Sequence, residues 1–243
     1  MSDLDAMRAA GKLASQTLDF ITPYVKPEMT TGELNDLCHQ FIIDNGAIPA
    51  PLDYKGFPKS ICTSVNHIIC HGIPGGRVLK DKDIMNIDVT VILDGWHGDT
   101  SRMFQIGKKT IKGNFLCEAT YAAMMAGIEQ IKPGATTGDI GHAISASVNT
   151  TRYSVVTEYC GHGIGRVFHD DPQILNFRIP GKGHVLETGM FITVEPMVNI
   201  GKKDSKVLSD NWTVVTKDKK LSAQWEHTIA VVEDGYEILT VSD

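Results

Sequence analysis

The 243 residues carry 23 Lys and Arg against 29 Asp and Glu, a net charge of −6, and 42% of them are hydrophobic. That is enough apolar material for a full core, and disorder is excluded. Lys108, Lys109 and Lys112 are the nearest approach to a basic patch and read as a solvated linker, which argues against nucleic acid or an anionic membrane as main partner. The N-terminus lacks a signal-peptide core and no stretch approaches 18 apolar residues, so a soluble protein is expected. The five cysteines are scattered, with no C-x-x-C, and fit a reducing cytoplasm better than a disulfide framework or a structural zinc site.

Residues 3–25 have the 3.6 periodicity of a helix, through Leu4, Met7, Ala10, Ala14, Leu18, Ile21 and Val25, ending near Pro23 and Pro27. A second helix follows with Thr31 as N-cap, Leu34, Leu37, Cys38, Phe41 and Ile42 on one face, and Asn45-Gly46 as its left-handed stop. A loop from Pro49 to Pro58 and a strand from Ser60 to Cys70 lead to His71-Gly72-Ile73-Pro74.

The next stretch, Ile84 to Phe104, is centred on Asp94-Gly95, a strong two-residue hairpin signal. A tight turn there pairs Leu93 with Trp96, Thr90 with Asp99 and Asp88 with Ser101. Met85, Ile87, Val89, Val91 and Leu93 then form an apolar face, while Asn86, Asp88, Thr90 and Asp99 share the other. Asp88 and Asp99 become diagonal neighbours roughly 7 Å apart at the backbone. Either a cation lies between them, one is protonated, or the register is wrong and one faces water.

From about Ile111 the pattern restarts. Lys26-Pro27-Glu28-Met29-Thr30-Thr31-Gly32-Glu33-Leu34 returns 106 residues later as Lys132-Pro133-Gly134-Ala135-Thr136-Thr137-Gly138-Asp139-Ile140, again opening a helix, with Ile140, Ala143, Ile144 and Val148. His71-Gly72-Ile73 is echoed by His162-Gly163-Ile164, and the strand around Asp88 by Phe191–Val198. The expectation is a single α+β domain made of two pseudo-symmetric halves, about 1–110 and 111–243, each with two helices and a mostly antiparallel sheet, and a cleft between them.

The second half adds three candidates. His162 lies among glycines in YCGHGIG, Glu195 lies in the apolar strand MFITVEPMV before a proline, and Glu226 shares a strand face with Thr228 in QWEHTIAVV. A phosphate-loop reading of GHGIG fails on glycine spacing and on the missing Lys-Ser/Thr. Asp88, Asp99, His162, Glu195 and Glu226 make four carboxylates and one imidazole, and buried charges of one sign require neutralising. An oxygen-rich set without thiolate points to two divalent cations, Mn(II), Fe(II), Co(II) or Zn(II), and to hydrolysis near neutral pH.

CHGIP, NIDVTV, HGDTSRMF, CGHGIG, FHDDP, ITVEPM and SAQWEHT, in this order and spacing, resemble type I methionine aminopeptidases in their short form, over nearly the whole chain. The resemblance implies the pita-bread fold, with Asp88, Asp99, His162, Glu195 and Glu226 holding two metal ions. It further implies that Glu195 exchanges protons with the metal-bound hydroxide, that His71 contacts the scissile peptide and that His169 stabilises the oxyanion. His169 lies seven residues past His162, where a donor beside the metals is chemically required. Tyr54, Phe57, Cys62, Phe168 and Trp212 would line a methionine pocket, suited to a flexible thioether. Two departures are Asp53, where relatives often have glycine, and Trp225, where Tyr or Phe is common; Asp53 bears on the pocket rim.

The expected activity is removal of the initiator methionine from nascent chains when the second residue is small, a rule that Met1-Ser2 itself meets. The expected partners are nascent N-termini, with a transient ribosome contact, and the expected state is a cytoplasmic monomer. The rivals are an X-Pro peptidase of the same fold, which usually carries a separate N-terminal domain, and a metal-free binding module.

Overall fold

The computed structural model describes residues 2–242, so Met1 of the Met1-Ser2 rule lies outside the described residues. Helix α1 spans Asp3–Ile21 and runs into a 3-10 turn, Thr22–Tyr24, where Pro23 ends it earlier than residue 25. Helix α2 spans Thr31–Asp44, α3 Ile111–Ile128 and α4 Thr137–Asn149. The N-cap of α2 is Thr30 rather than Thr31: its hydroxyl accepts from Glu33 N (3.1 Å) while the Glu33 carboxylate accepts from Thr30 N (2.7 Å). The stop is Asn45 followed by Gly46 at φ 75°.

The cap of α4 has the same geometry 106 residues on, with Thr136 and Asp139 exchanging the same two bonds (2.7 and 3.3 Å). The loop before each cap turns through a left-handed residue, Glu28 at φ 77° and Gly134 at φ 86°. Its N–H then bonds Leu79 O (2.9 Å) in the first half and Leu186 O (2.8 Å) in the second.

The hairpin is Ile84–Leu93 paired with Trp96–Gln105, and its register is Leu93 with Trp96, Thr90 with Asp99 and Asp88 with Ser101. Asp94 (φ 51°) and Gly95 (φ 80°) supply the two positive φ angles of the turn. Met85, Ile87, Val89 and Val91 are fully buried beneath α1 and α2, against Leu18, Ile21, Leu34 and Ile42. On the opposite side of the molecule Ile192, Val194, Ile229 and Val231 pack in the same way under α3 and α4, against Met124, Ile128, Ile140 and Ile144. The helices thus cover the outer faces of the sheets, and the polar faces are left turned inward.

Three expected strands are interrupted. Ser60 to Cys70 divides at Asn66 (φ 57°) into Cys62–Val65, which joins the hairpin sheet, and Ile68–Cys70, which pairs with Val214–Thr216. Met190 to Val198 divides at Glu195-Pro196 into Phe191–Val194 and Met197–Asn199, and Gln224 to Val232 divides into Ser222–Gln224 and His227–Val232. The upstream and downstream pieces belong to different sheets, paired as Val194 with His227 and Met197 with Gln224. Carrying that register across the gap sets Glu195 opposite Glu226. Pro196 cannot donate to a ladder, so the break falls where the sequence has removed a donor.

Candidate active site

The inward faces enclose a cavity of about 400 Å³. Each of the expected metal-holding, catalytic and pocket residues lines it: Asp88, Asp99, His162, Glu195 and Glu226 on one side, His71 and His169 beside them, and Tyr54, Phe57, Cys62, Phe168 and Trp212 around the remainder. Asp53 is absent from the lining; it is an exposed residue at φ 65°, a conformation that favours glycine and that aspartate tolerates.

The carboxylates are held by threonines and by backbone. The Thr90 hydroxyl donates to Asp99 Oδ1 (2.7 Å), one residue across the hairpin. Thr193 Oγ1 donates to Glu195 Oε1 (2.8 Å) and accepts from His162 N (3.0 Å), so one side chain fixes two members of the set. Gln224 Nε2 reaches Glu195 Oε2 (3.3 Å), and Glu226 exchanges backbone bonds with Ser101. Trp225, facing away, donates its indole N–H to Cys117 O on α3 (3.0 Å).

His162 decides what belongs between these groups. Its Nδ1 is 2.9 Å from Gly163 O, and a carbonyl only accepts, so Nδ1 carries the proton. Burial pushes the ring pKa down to about 4, so at neutral pH Nε2 is a bare lone pair. That lone pair lies 3.7 Å from Asp99 Oδ2 and 3.5 Å from Glu195 Oε1. Donor atoms of Asp99, His162 and Glu226 also come within 4.8 Å of one another. An acceptor facing carboxylates calls for a shared proton or a cation between them, and the oxygen-rich donor set with one imidazole fits divalent metal.

The electrostatics agree. Burial pushes Asp88 up to about 7. Burial, and then the Asp88 charge, lift Asp99 well above the carboxylate range. Burial and Asp99 do the same for Glu195 and for Glu226. The cysteine thiols of the lining also rise, Cys62 through burial and then the Asp88 charge, and Cys160 to about 11 through burial and then Glu195. They remain thiols at neutral pH, which removes a cysteine-nucleophile reading.

Two neutral imidazoles flank the set. His71 is at φ 54°, followed by Gly72, where a Cβ would sit 2.1 Å from Thr63 O; its pKa is lowered by burial. His169 falls to about 3 through burial and then the charge of His162, and its Nδ1 is 3.0 Å from Tyr54 Oη. When Tyr54 donates, the proton of His169 resides on Nε2. The ring of Tyr54 packs on Phe168 (4.8 Å) and His169 (5.2 Å), while Trp212 packs on Phe57 (5.2 Å) and His71 (6.1 Å). The aromatic side chains and the acid cluster line one space.

The glycines of GHG serve packing rather than ligand approach: a Cβ on Gly163 would lie 2.2 Å from Asp171 O of the adjacent strand. Sequence reasoning missed Pro51, Lys55, Thr90, Glu158, Tyr159, Cys160 and Met197 as lining residues. Tyr159 and Cys160 stood inside the very motif that carries His162, and that adjacency was the available signal.

Residues 5–233 match metallopeptidase family M24. The chain belongs to that family. A methionine aminopeptidase of Rickettsia prowazekii is 62% identical over 99% of this M24 chain and 93% of its own length. That of Escherichia coli K12 is 52% identical over 98% and 91%. The crystal structure of the Rickettsia prowazekii enzyme superposes with a TM-score of 0.98, covering 98% of this chain and 97% of that one. The α+β pita-bread expectation therefore holds for this M24 chain.

Proposed function

We propose that the chain is a cytoplasmic, metal-dependent methionyl aminopeptidase that removes the initiator methionine from nascent proteins when the second residue is small. The observation that carries this reading is one cavity lined together by aromatic side chains, the Cys62 thiol, four carboxylates and the bare Nε2 of His162. A thioether fits a slot of such aromatic side chains, and a free N-terminus brings an ammonium toward the acids.

Asp88, Asp99, His162, Glu195 and Glu226 would hold two divalent cations, with Fe(II), Mn(II), Co(II) and Zn(II) all compatible with the donors. When bound, such ions polarise a carbonyl and make water acidic enough to react near neutral pH. Glu195, with each oxygen already hydrogen-bonded and its proton affinity raised by burial, takes a proton from the attacking water and returns it to the leaving amine. Neutral His169, with Nδ1 engaged by Tyr54, offers an Nε2–H to the developing oxyanion, and His71 hydrogen-bonds the peptide at the scissile bond. Tyr159, whose ring meets His71 edge-on at 5.7 Å, and Met197 line the same cavity, and in this reading they adjoin the second residue and favour a small one.

Nascent N-termini are the partners of this reading, and a transient ribosome contact belongs to it; co-sedimentation with ribosomes tests that contact, and gel filtration tests the monomer. The five cysteines are free, and among the described residues no helix is long and apolar enough to cross a membrane. The decisive experiment is anaerobic reconstitution with Mn(II) or Fe(II), followed by hydrolysis of Met-Ala-Ser, Met-Lys-Ser and Gly-Pro. Metal-dependent release of methionine from Met-Ala-Ser alone is expected. Cleavage of Gly-Pro alone would move the assignment to an X-Pro peptidase, and no turnover with metal bound would move it to a binding module.

A further inference from the structure

The two imidazoles that flank the reacting bond are each touched by a tyrosine, and each tyrosine has a charged neighbour in sequence. Tyr54 Oη contacts His169 at 3.0 Å and is followed by Lys55; the Tyr159 ring meets His71 and is preceded by Glu158. Both Lys55 and Glu158 are exposed, and both line the same cavity as the acid cluster. They are therefore at its mouth, a cation beside the His169 wall and an anion beside the His71 wall.

Neither charge is used up in the fold. Among the described residues, neither forms an ion pair. The Lys55 ammonium lies 5.2 Å from the Tyr54 ring centre, and the Glu158 carboxylate accepts from the Ser205 hydroxyl. Lys55 is itself at φ 50°, within a 3-10 turn closed by Phe57 N to Tyr54 O (2.9 Å). The backbone therefore fixes where its side chain starts.

We propose that Lys55 and Glu158 form a charge-reading subsite for the third residue of the substrate, Lys55 favouring an acidic side chain and Glu158 a basic one. This rests on the aminopeptidase reading. The first residue fills the slot, the first peptide bond lies between the imidazoles, and the second residue is small. The third residue is then the first whose side chain is free to reach the rim. An extended chain advances about 3.3 Å per residue, so the third residue stands about 5 Å beyond the reacting bond, and its side chain extends from there toward the residues adjoining the two tyrosines.

The test is kcat/KM of the metal-loaded protein on Met-Ala-Asp-Ser-amide and Met-Ala-Lys-Ser-amide, taken as a ratio within each variant so that losses in folding or metal loading cancel. The Asp/Lys ratio should fall about two- to fivefold in Lys55→Ala and rise by a similar factor in Glu158→Gln, the size of exposed charge pairs. Lys55→Glu should lower it further. The shifts should shrink at 0.5 M salt, where screening is strong. Ratios that stay fixed in all three variants, or that move identically at high salt, overturn the subsite. Failure of the unsubstituted protein on Met-Ala-Ser overturns the aminopeptidase reading instead, so the two failures are distinguishable.

Discussion

In the first half of the chain Asp88 and Asp99 lie within unbroken, fully paired strands of one hairpin. In the second half Glu195 and Glu226 occupy the gap between two sheets, with no partner residue in a named strand pair. The outer layer hides this difference, since both halves carry the same Thr-and-acid cap and the same left-handed turn before it, 106 residues apart. The packing frame and the chemistry are thus set separately. Hydrophobic burial and helix caps repeat, while the acids are delivered once by an intact ladder and once by an interrupted one.

The sharpest way to test that division is in the gap. Glu195→Gln keeps the shape but replaces one of the two acceptor oxygens, which receive Thr193 and Gln224, with a donor amide and loses proton exchange, and turnover of Met-Ala-Ser should fall by about 10²–10⁴-fold. If it falls less than tenfold, Glu195 does not move the proton. Metal should bind the two halves together. Mn(II) at a hundredfold excess over its dissociation constant should stabilise the apo protein by about 2.7 kcal/mol, read as a rise in Tm. Asp99→Asn should lose most of that rise, and an undiminished rise would remove Asp99 from the ligand set.

The supporting threonines rank next. Thr193→Val removes a bond to Glu195 and one from His162 N, whereas Thr90→Val removes only the bond to Asp99. Both should cost about 10- to 100-fold in metal affinity or turnover, Thr193 the more. The reverse order would say that the intact hairpin needs more outside support than the broken ladder.

The caps give the smallest effects. Thr30→Ala and Thr136→Ala should each cost about 1 kcal/mol in urea unfolding, and unequal losses would break the equivalence of the halves. Their acids also set a pH limit. Hydrogen bonds from Thr30 hold Glu33 below its ordinary 4.5, and those from Thr136 hold Asp139 below its ordinary 3.8. A depressed folded pKa contributes stability that is complete above the unfolded value and lost as pH falls through the folded one. The contribution of these two acids should therefore be complete above about pH 4.5 and lost below it, so the urea midpoints of the unsubstituted protein and of Glu33→Gln with Asp139→Asn should converge as pH falls through that range.

The hairpin register was legible in the sequence because it is local. Asp94-Gly95 fixes the turn, and Met85, Ile87, Val89 and Val91 admit only one face for burial. The five-member polar set was legible because acids within apolar strands are costly unless they share a cation. The lining residues Glu158, Tyr159, Cys160 and Met197 were harder to see, since nothing in a side chain's type says which cavity it borders.

By itself the sequence determined the four helices, the hairpin with Asp88 and Asp99 on its polar face, and the recurrence of the cap, all of which rest on periodicity and turn chemistry within a few residues. Pro196 marks one break in the sequence, but only the tertiary structure decided that the strands through Asn66 and Glu226 break as well, because each piece takes its hydrogen bonds from a different distant partner. It alone also decided that His162 turns a bare Nε2 toward Asp99 and Glu195, since that depends on Gly163 O holding the ring by its other nitrogen.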